Sequence, residues 1–303
     1  MIKEINFMAI RSLLLTLTAT LLFFADLSAQ NKKKNGAGNT VYGANNAWGQ
    51  GSTYPDSCLN RTLSIAVHMC MDSAQYVTAE VPIAAQSELN DAITELNLDF
   101  KPICLQFQVC KVDTIYNYKY TKLDIKGKLK EEEEVAVRYN VKNMINLYVV
   151  KSTTGGDVGG WAEKPPISKD TLNIIAIEKS SLTDKKGLSH LMGLFLGLLH
   201  THETQFGAET SNGTYASDTI TCATTGDLVC DTPADDGGLE FHTLNPCLLI
   251  ENLIKDTNGD WFTPIIGNIM SHHAAPCKSK PGFTVGQYNR LVSTYLTYRA
   301  YLY

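Results

Sequence analysis

The sequence predicts an α+β fold in three layers: a mixed sheet packed on a central helix of the kind that carries active sites, with a loop-rich, disulfide-linked C-terminal half. Three observations predict it. Short segments of strand length recur between Leu63 and Ile177. One helical segment, Gln86 to Leu98, lies among them. A second helix, from Gly187 to Gly197, is apolar around most of its circumference and is therefore buried. The 303 residues are 44% hydrophobic and 19% charged, which excludes a disordered chain. A net charge of -5 provides no basic footprint for nucleic acid, so no nucleic-acid partner is expected.

Lys3 and Arg11 precede the uncharged run Ser12 to Phe24, and Leu27-Ser28-Ala29 then supplies small residues at a cleavage site. The run is shorter than the roughly 20 residues that cross a bilayer, and the whole pattern is that of a secretory signal peptide cut after Ala29. Residues 1–29 are thus read as the signal and residues 30–60, rich in Gly and Asn, as a flexible leader. Residues 61–303 form the single folded domain, with no integral membrane segment in the mature chain and a secreted or extracytoplasmic location.

Leu63 to Met69 alternates as a strand; Gln86 to Leu98 places apolar residues at 89, 92, 93 and 96, a helical spacing. Ile103 to Val109 and Ile145 to Val150 are further strands, and the charge run Lys126 to Glu134 between them reads as a solvated hairpin or loop. Gly155 to Gly160 lacks the Gly-Lys-Ser/Thr ending of a phosphate cradle and is a glycine-rich loop. Thr171 to Ile177 is another strand. Thr183-Asp184 can cap the apolar helix, in which His190 is the one histidine; Gly197 ends it by a left-handed turn, and His200 follows. His68 and His242 have no metal spacing and are read as structural. All eight cysteines follow the cleavage point, and an even count in an exported chain predicts that all are oxidised, two bridges in each half.

The chain resembles the pappalysin branch of the metzincin zinc peptidases. The family motif H-E-x-x-H-x-x-G-x-x-H aligns with His190 through His200. The family's Gly-Asp…Asp-Thr-Pro stretch matches Gly226-Asp227 and Asp231-Thr232-Pro233. Its Met-turn matches Asn268-Ile269-Met270-Ser271-His272, and Cys277 and Phe283-Thr284-Val285-Gly286-Gln287 follow in order. The resemblance runs from about residue 63 to 300 and implies a zincin-like fold.

The departures fall on the chemistry. The family's glutamate, the general base on zinc-bound water, is replaced by Leu191, and its second histidine by Leu194. His190 and His200 remain as remnant zinc ligands. General acid–base catalysis contributes ~10²–10⁴ in rate, whereas a buried leucine contributes ~1.5–3 kcal/mol to the core. The expectation is a pseudopeptidase, a homologue of secreted metallopeptidases that binds a peptide or protein in its cleft without cutting it. Two imidazoles alone imply far less than one equivalent of zinc. His272, two residues after Met270, is a candidate third ligand in an alternative reading as an active zinc metalloendopeptidase with rearranged ligands; His202 and Glu203 are read as a solvated loop. A third reading is a structural or adhesive surface protein.

The resemblance further implies calcium near Asp227 and Asp231, whose oxygens are hard donors. It also implies the pairings Cys222–Cys247 and Cys230–Cys277. Zincin clefts run along an edge strand, and Thr171 to Ile177 is the candidate edge. Asp256 to Asp260 spaces oxygen side chains alternately but reads as a turn.

Overall fold

A computed structural model describes residues 58–73, 83–125, 127, 130–157, 159–165, 172–184, 186–211, 222–237, 243–245, 248–249, 255–262, 264–265, 267–271 and 282–303. The signal, most of the leader, His242, Cys247, His272, His273 and Cys277 lie outside the described residues.

The strands come first. β1 (Arg61–Met71), β2 (Leu105–Tyr116), β4 (Ile145–Val150), β6 (Gly160–Ala162) and β7 (Ile174–Glu178) form one sheet in the order β2-β1-β4-β7-β6. The first four run parallel, and β6 joins antiparallel to β7. Two short strands, β3 (Lys122–Asp124) and β5 (Ser152–Thr154), pair beside it. Side chains alternate across the sheet. Leu63, Ile65, Val67, Leu147, Val149, Ile175 and Ile177 enter one core, while Cys70, Tyr148, Val150, Ile174 and Ala176 enter a second on the opposite face. A central strand is wetted on neither face, and all six residues of β4 are buried, Asn146 among them because its amide is bonded to His68 and to the Val141 main chain.

Helices cover both faces, giving the three layers. α1 (Gln86–Phe100) starts where Glu88 accepts the Ala85 N–H at 2.7 Å, and it is fixed to β2 by Asn97, whose amide exchanges two hydrogen bonds with the Phe107 main chain. α4 (Gly187–Phe195) lies on the same face, preceded by the short α3 (Lys179–Thr183). The C-terminal α5 (Val285–Thr294) starts with a capping box between Thr284 and Gln287. On the other face stands α2 (Glu131–Tyr139), contributing Val135 and Ala136 to the second core. Among the described residues no helix is long and apolar enough to cross a membrane.

Four expectations are corrected here. The charge run is not a loop throughout: Glu131 to Glu134 begins α2, because four carboxylates in a first turn complement the positive end of the helix dipole. Glu134 is held below the usual carboxylate range by Lys119 and Tyr120, which donate to it. Thr183-Asp184 does not cap α4 but closes α3, the Thr183 hydroxyl donating back to Lys179 and Ser180 carbonyls. The strand read at Thr171 to Ile177 is β7, an interior strand between β4 and β6, so the edge on that side of the sheet is β6.

The cysteines are the fourth. Among the described residues the bridges are Cys58–Cys104 and Cys222–Cys230, so Cys222 and Cys230 pair with each other and not with Cys247 and Cys277. The loop between Cys222 and Cys230 closes on itself, bringing their Cα atoms to 5.0 Å and using up both sulfurs. Cys70 and Cys110 are free thiols, against the expectation of full oxidation. They cannot meet: Cys70 points from β1 into the second core, whereas Cys110 is the extra residue of a bulge on β2, exposed to solvent. Burial pushes the Cys70 thiol up to about 12. Iodoacetamide is therefore expected to label Cys110 in the native protein and Cys70 only after unfolding, read by peptide mass spectrometry; native labelling of Cys70 would contradict this packing.

Candidate functional site

The site is built on α4 and the turn that ends it. Gly187 is the first residue of the helix, and a Cβ there would meet the Ser181 carbonyl oxygen at 2.2 Å. At the other end Gly197 takes φ +89. The Gly197 N–H donates to Leu194 O and the Leu198 N–H to Gly193 O, the paired closure of a Schellman motif. This reverses the chain so that His200 returns beside His190.

Two supports hold that arrangement. Asp99, at the end of α1, accepts from Lys186 Nζ and Ser189 Oγ, both at 2.6 Å, and its carbonyl accepts from Tyr288 of α5. Beneath α4 runs the Met-turn. Met270 is fully buried, and its sulfur would stand 2.7 Å from a Cβ at Gly193, so a larger residue there would push the methionine side chain aside. Asn268 and Gln287 exchange amide hydrogen bonds, and Asn268 also accepts from the Met270 N–H. Asp235 joins the parts by accepting at one oxygen from Thr201 and Ser271.

The two histidines converge. His190 Nδ1 lies 2.7 Å from the Ile269 carbonyl, which can only accept; Nδ1 therefore carries a proton. His190 Nε2 and His200 Nε2 stand 3.2 Å apart. Two nitrogens on one tetrahedral zinc, each at about 2.0–2.1 Å, are separated by about 3.3–3.4 Å. The pair thus fits two corners of such a site. His202 stacks on His200 at 5.0 Å between ring centroids.

The other two motif positions do not fit the metal. Leu191 is 1% exposed and Leu194 0%, and both belong to the first core. The Leu191 methyl carbon reaches the edge strand, 2.6 Å from where a Cβ at Gly160 would stand, so hydrocarbon fills the base's position. The family's three-histidine set is not present on this helix. Glu203 turns one carboxylate oxygen, Oε1, to the N–H groups of Thr204 and Gln205 in its own turn.

The acidic stretch has a structural account. Asp227 is buried and accepts from the Val229 N–H and the Thr232 hydroxyl; burial raises its pKa well above the usual carboxylate range, against the pull of those donors. Asp231 accepts from Thr284 Oγ1 and the Gly286 N–H, both at 2.7 Å, at the positive end of α5. Both carboxylates are engaged by protein donors. Asp256 likewise accepts from Ser211, Asn258 and Asp260 N–H groups, the turn expected of it. His68 lies away from α4, bonded to Asp113 and Asn146 and stacked on Tyr148.

Sequence reasoning missed two residues. Asp235 carries no motif signature beyond following Pro233. Asp157, read only as part of a glycine-rich loop, has Oδ1 3.8 Å from His200 Nε2 and Oδ2 3.6 Å from Lys164 Nζ. An acid between glycines just before the edge strand was the available signal.

Sheet order, the antiparallel edge strand and a buried helix ended by a glycine turn between two histidines define a zincin-like domain. Among solved structures the chain is similar to mirolysin in complex with compound 9, at TM-score 0.51 and 16% identity, over 80% of this chain and 93% of that one. Tannerella forsythia mature mirolysin in complex with a cleaved peptide gives 0.48 and 14%, over the same shares. Metalloproteinase-II from Bacteroides fragilis gives 0.34 and 12%, over 52% of this chain and 47% of that one. No family model and no curated protein matches the sequence.

Proposed function

We propose that this chain is an exported, pappalysin-type metzincin homologue that has lost peptidase chemistry and holds a peptide or protein segment beside β6 without cutting it. One observation carries the reading: Leu191 and Leu194 are built into the core where a base and a ligand would stand. A leucine cannot take a proton from water, whatever metal the histidines bind. Export is supported by the run Ser12 to Phe24 and by the disulfides Cys58–Cys104 and Cys222–Cys230, since disulfides persist in oxidising compartments.

Binding along an edge strand uses main-chain hydrogen bonds. The residues of β6 are buried, and the Gly160 N–H already donates to the Asp157 carbonyl. An added segment therefore has to displace the loop at Asp157 to pair with that strand. Incubation with tryptic casein peptides, followed by gel filtration and mass spectrometry, tests this. Retained, intact peptides are expected. Cleavage products that vanish with a chelator favour the active enzyme, and retention of nothing favours the structural or adhesive reading.

A further inference from the structure

We propose that the chain pairs with a second copy of itself as a two-fold dimer, through the second half of β2, Val112 to Tyr116. The proposal is independent of the reading of the cleft, since β2 and β6 end the sheet on opposite sides.

Three observations point there. First, the main chain is presented outward. Among the described residues no strand pairs with the outer side of β2. The Asn117 N–H donates to the Met71 carbonyl on β1, and alternate residues of a strand turn their main-chain groups to opposite sides. Those of Val112, Thr114 and Tyr116 therefore point away from β1. Second, the first core stops short of this stretch. Val112 and Thr114 stand beside Val67 and Met69, which are buried, yet Val112 is 44% exposed and Tyr116 43%, with Thr114 exposed between them. Third, the stretch has fixed ends. Asn97 closes the first half of the edge by bonding both main-chain groups of Phe107, and the bulge at Cys110 interrupts it; after Tyr116 the strand gives way to a short 3-10 helix, Tyr118–Thr121.

The occupant is a second copy because the stretch is complementary to its own reverse. An antiparallel pair centred on Thr114 sets Val112 against the partner's Tyr116, Thr114 against the partner's Thr114, and Tyr116 against the partner's Val112. Aromatic–β-branched and Thr–Thr pairs are among those that stabilise an antiparallel seam, and three hydrogen-bonded pairs supply about six main-chain bonds. On the other face Asp113 meets the partner's Ile115. Its carboxylate is already engaged in its own chain by Lys111 at 2.8 Å and His68 at 2.6 Å, so no unpartnered charge enters the seam. The two-fold uses the same stretch on both copies, so the assembly closes as a dimer and does not grow into a fibre. So short a ladder makes the dimer reversible.

Light scattering on gel-filtered chain, from micromolar to near-millimolar concentration, tests this. The parent's mass should rise with concentration from one chain to two. Val112→Lys puts an ammonium into two of the three pairs and should weaken association at least about tenfold. Thr114→Pro removes an outward N–H that β1 does not use, so it should abolish the dimer with little change in the thermal melt. In a Cys110→Ser background, Thr114→Cys should cross-link to itself under mild oxidation, since a hydrogen-bonded pair sets its Cα atoms about 5.5 Å apart, within disulfide range. A chain monomeric at every concentration, a dimer undiminished by Val112→Lys, or a dimer in which Thr114→Cys does not cross-link would each overturn the assignment.

Discussion

Arg299→Ala is expected to destabilise the domain by about 3–5 kcal/mol, the usual cost of breaking a buried charge pair by removing one partner. Arg299 is fully buried just after α5, its guanidinium 3.7 Å from the Phe195 ring centroid at the end of α4. It donates to the Glu163 carbonyl and to Asn173 Oδ1, both at 2.7 Å, and pairs with the Glu163 carboxylate at 3.4 Å. Glu163 in turn accepts the Leu172 and Asn173 N–H groups. One side chain thus ties the C-terminal segment, the histidine-bearing helix and the closure between β6 and β7. Burial pushes the guanidinium pKa down while Glu163 draws it up, so the pair is mutually dependent. For a domain of this size the loss corresponds to a fall of about 2–4 °C in Tm per kcal/mol. Arg299→Lys should recover only part, since an ammonium lacks the planar fork. A loss under about 1 kcal/mol, set against this expected cost, would contradict the clamp.

The double change Leu191→Glu with Leu194→His reinstalls the family pattern and is expected to cost at least about 3 kcal/mol. Each leucine surrenders ~1.5–3 kcal/mol of burial, before the desolvation of a carboxylate among apolar neighbours is added. The pH dependence has a definite sign. A buried glutamate has its folded-state pKa raised above about 4.3, so the folded state holds the proton longer than the unfolded one. The glutamate's share of the penalty is smallest below that pH, grows as pH rises and levels off at the folded pKa, whereas the buried histidine at 194 has its pKa lowered and its share grows as pH falls below about 6.5. Excess zinc at pH 8 should restore part of the loss by mass action. Denaturant unfolding with and without zinc measures both effects, and a variant as stable as the parent without metal would show that the leucines are not core residues.

Much of the scaffold was legible because its signals are local. β4 reads as a strand-length apolar segment interrupted only by Asn146, and it is a strand over those same six residues. The helix at Gln86 and the glycine turn at Gly197 follow from spacing and from φ freedom. What escaped the sequence depends on partners distant along the chain. The helix that Glu131 to Glu134 begin is held by the second core, which Val135 and Ala136 enter. β7 lies inside the sheet because the three-residue β6, too short to carry a pattern, pairs outside it. Cysteine pairing followed loop closure rather than the family analogy. Asp157 gains significance only when the fold carries its loop back to His200.

The central claim is tested most directly by cleavage with the unmodified protein. Purified chain is incubated with casein, gelatin and a peptide library, with added zinc and with chelator, beside His190→Ala. The account predicts identical peptide profiles in all arms, even where zinc is bound, because Leu191 cannot act as a base. Cleavage that chelator suppresses and His190→Ala abolishes would contradict it.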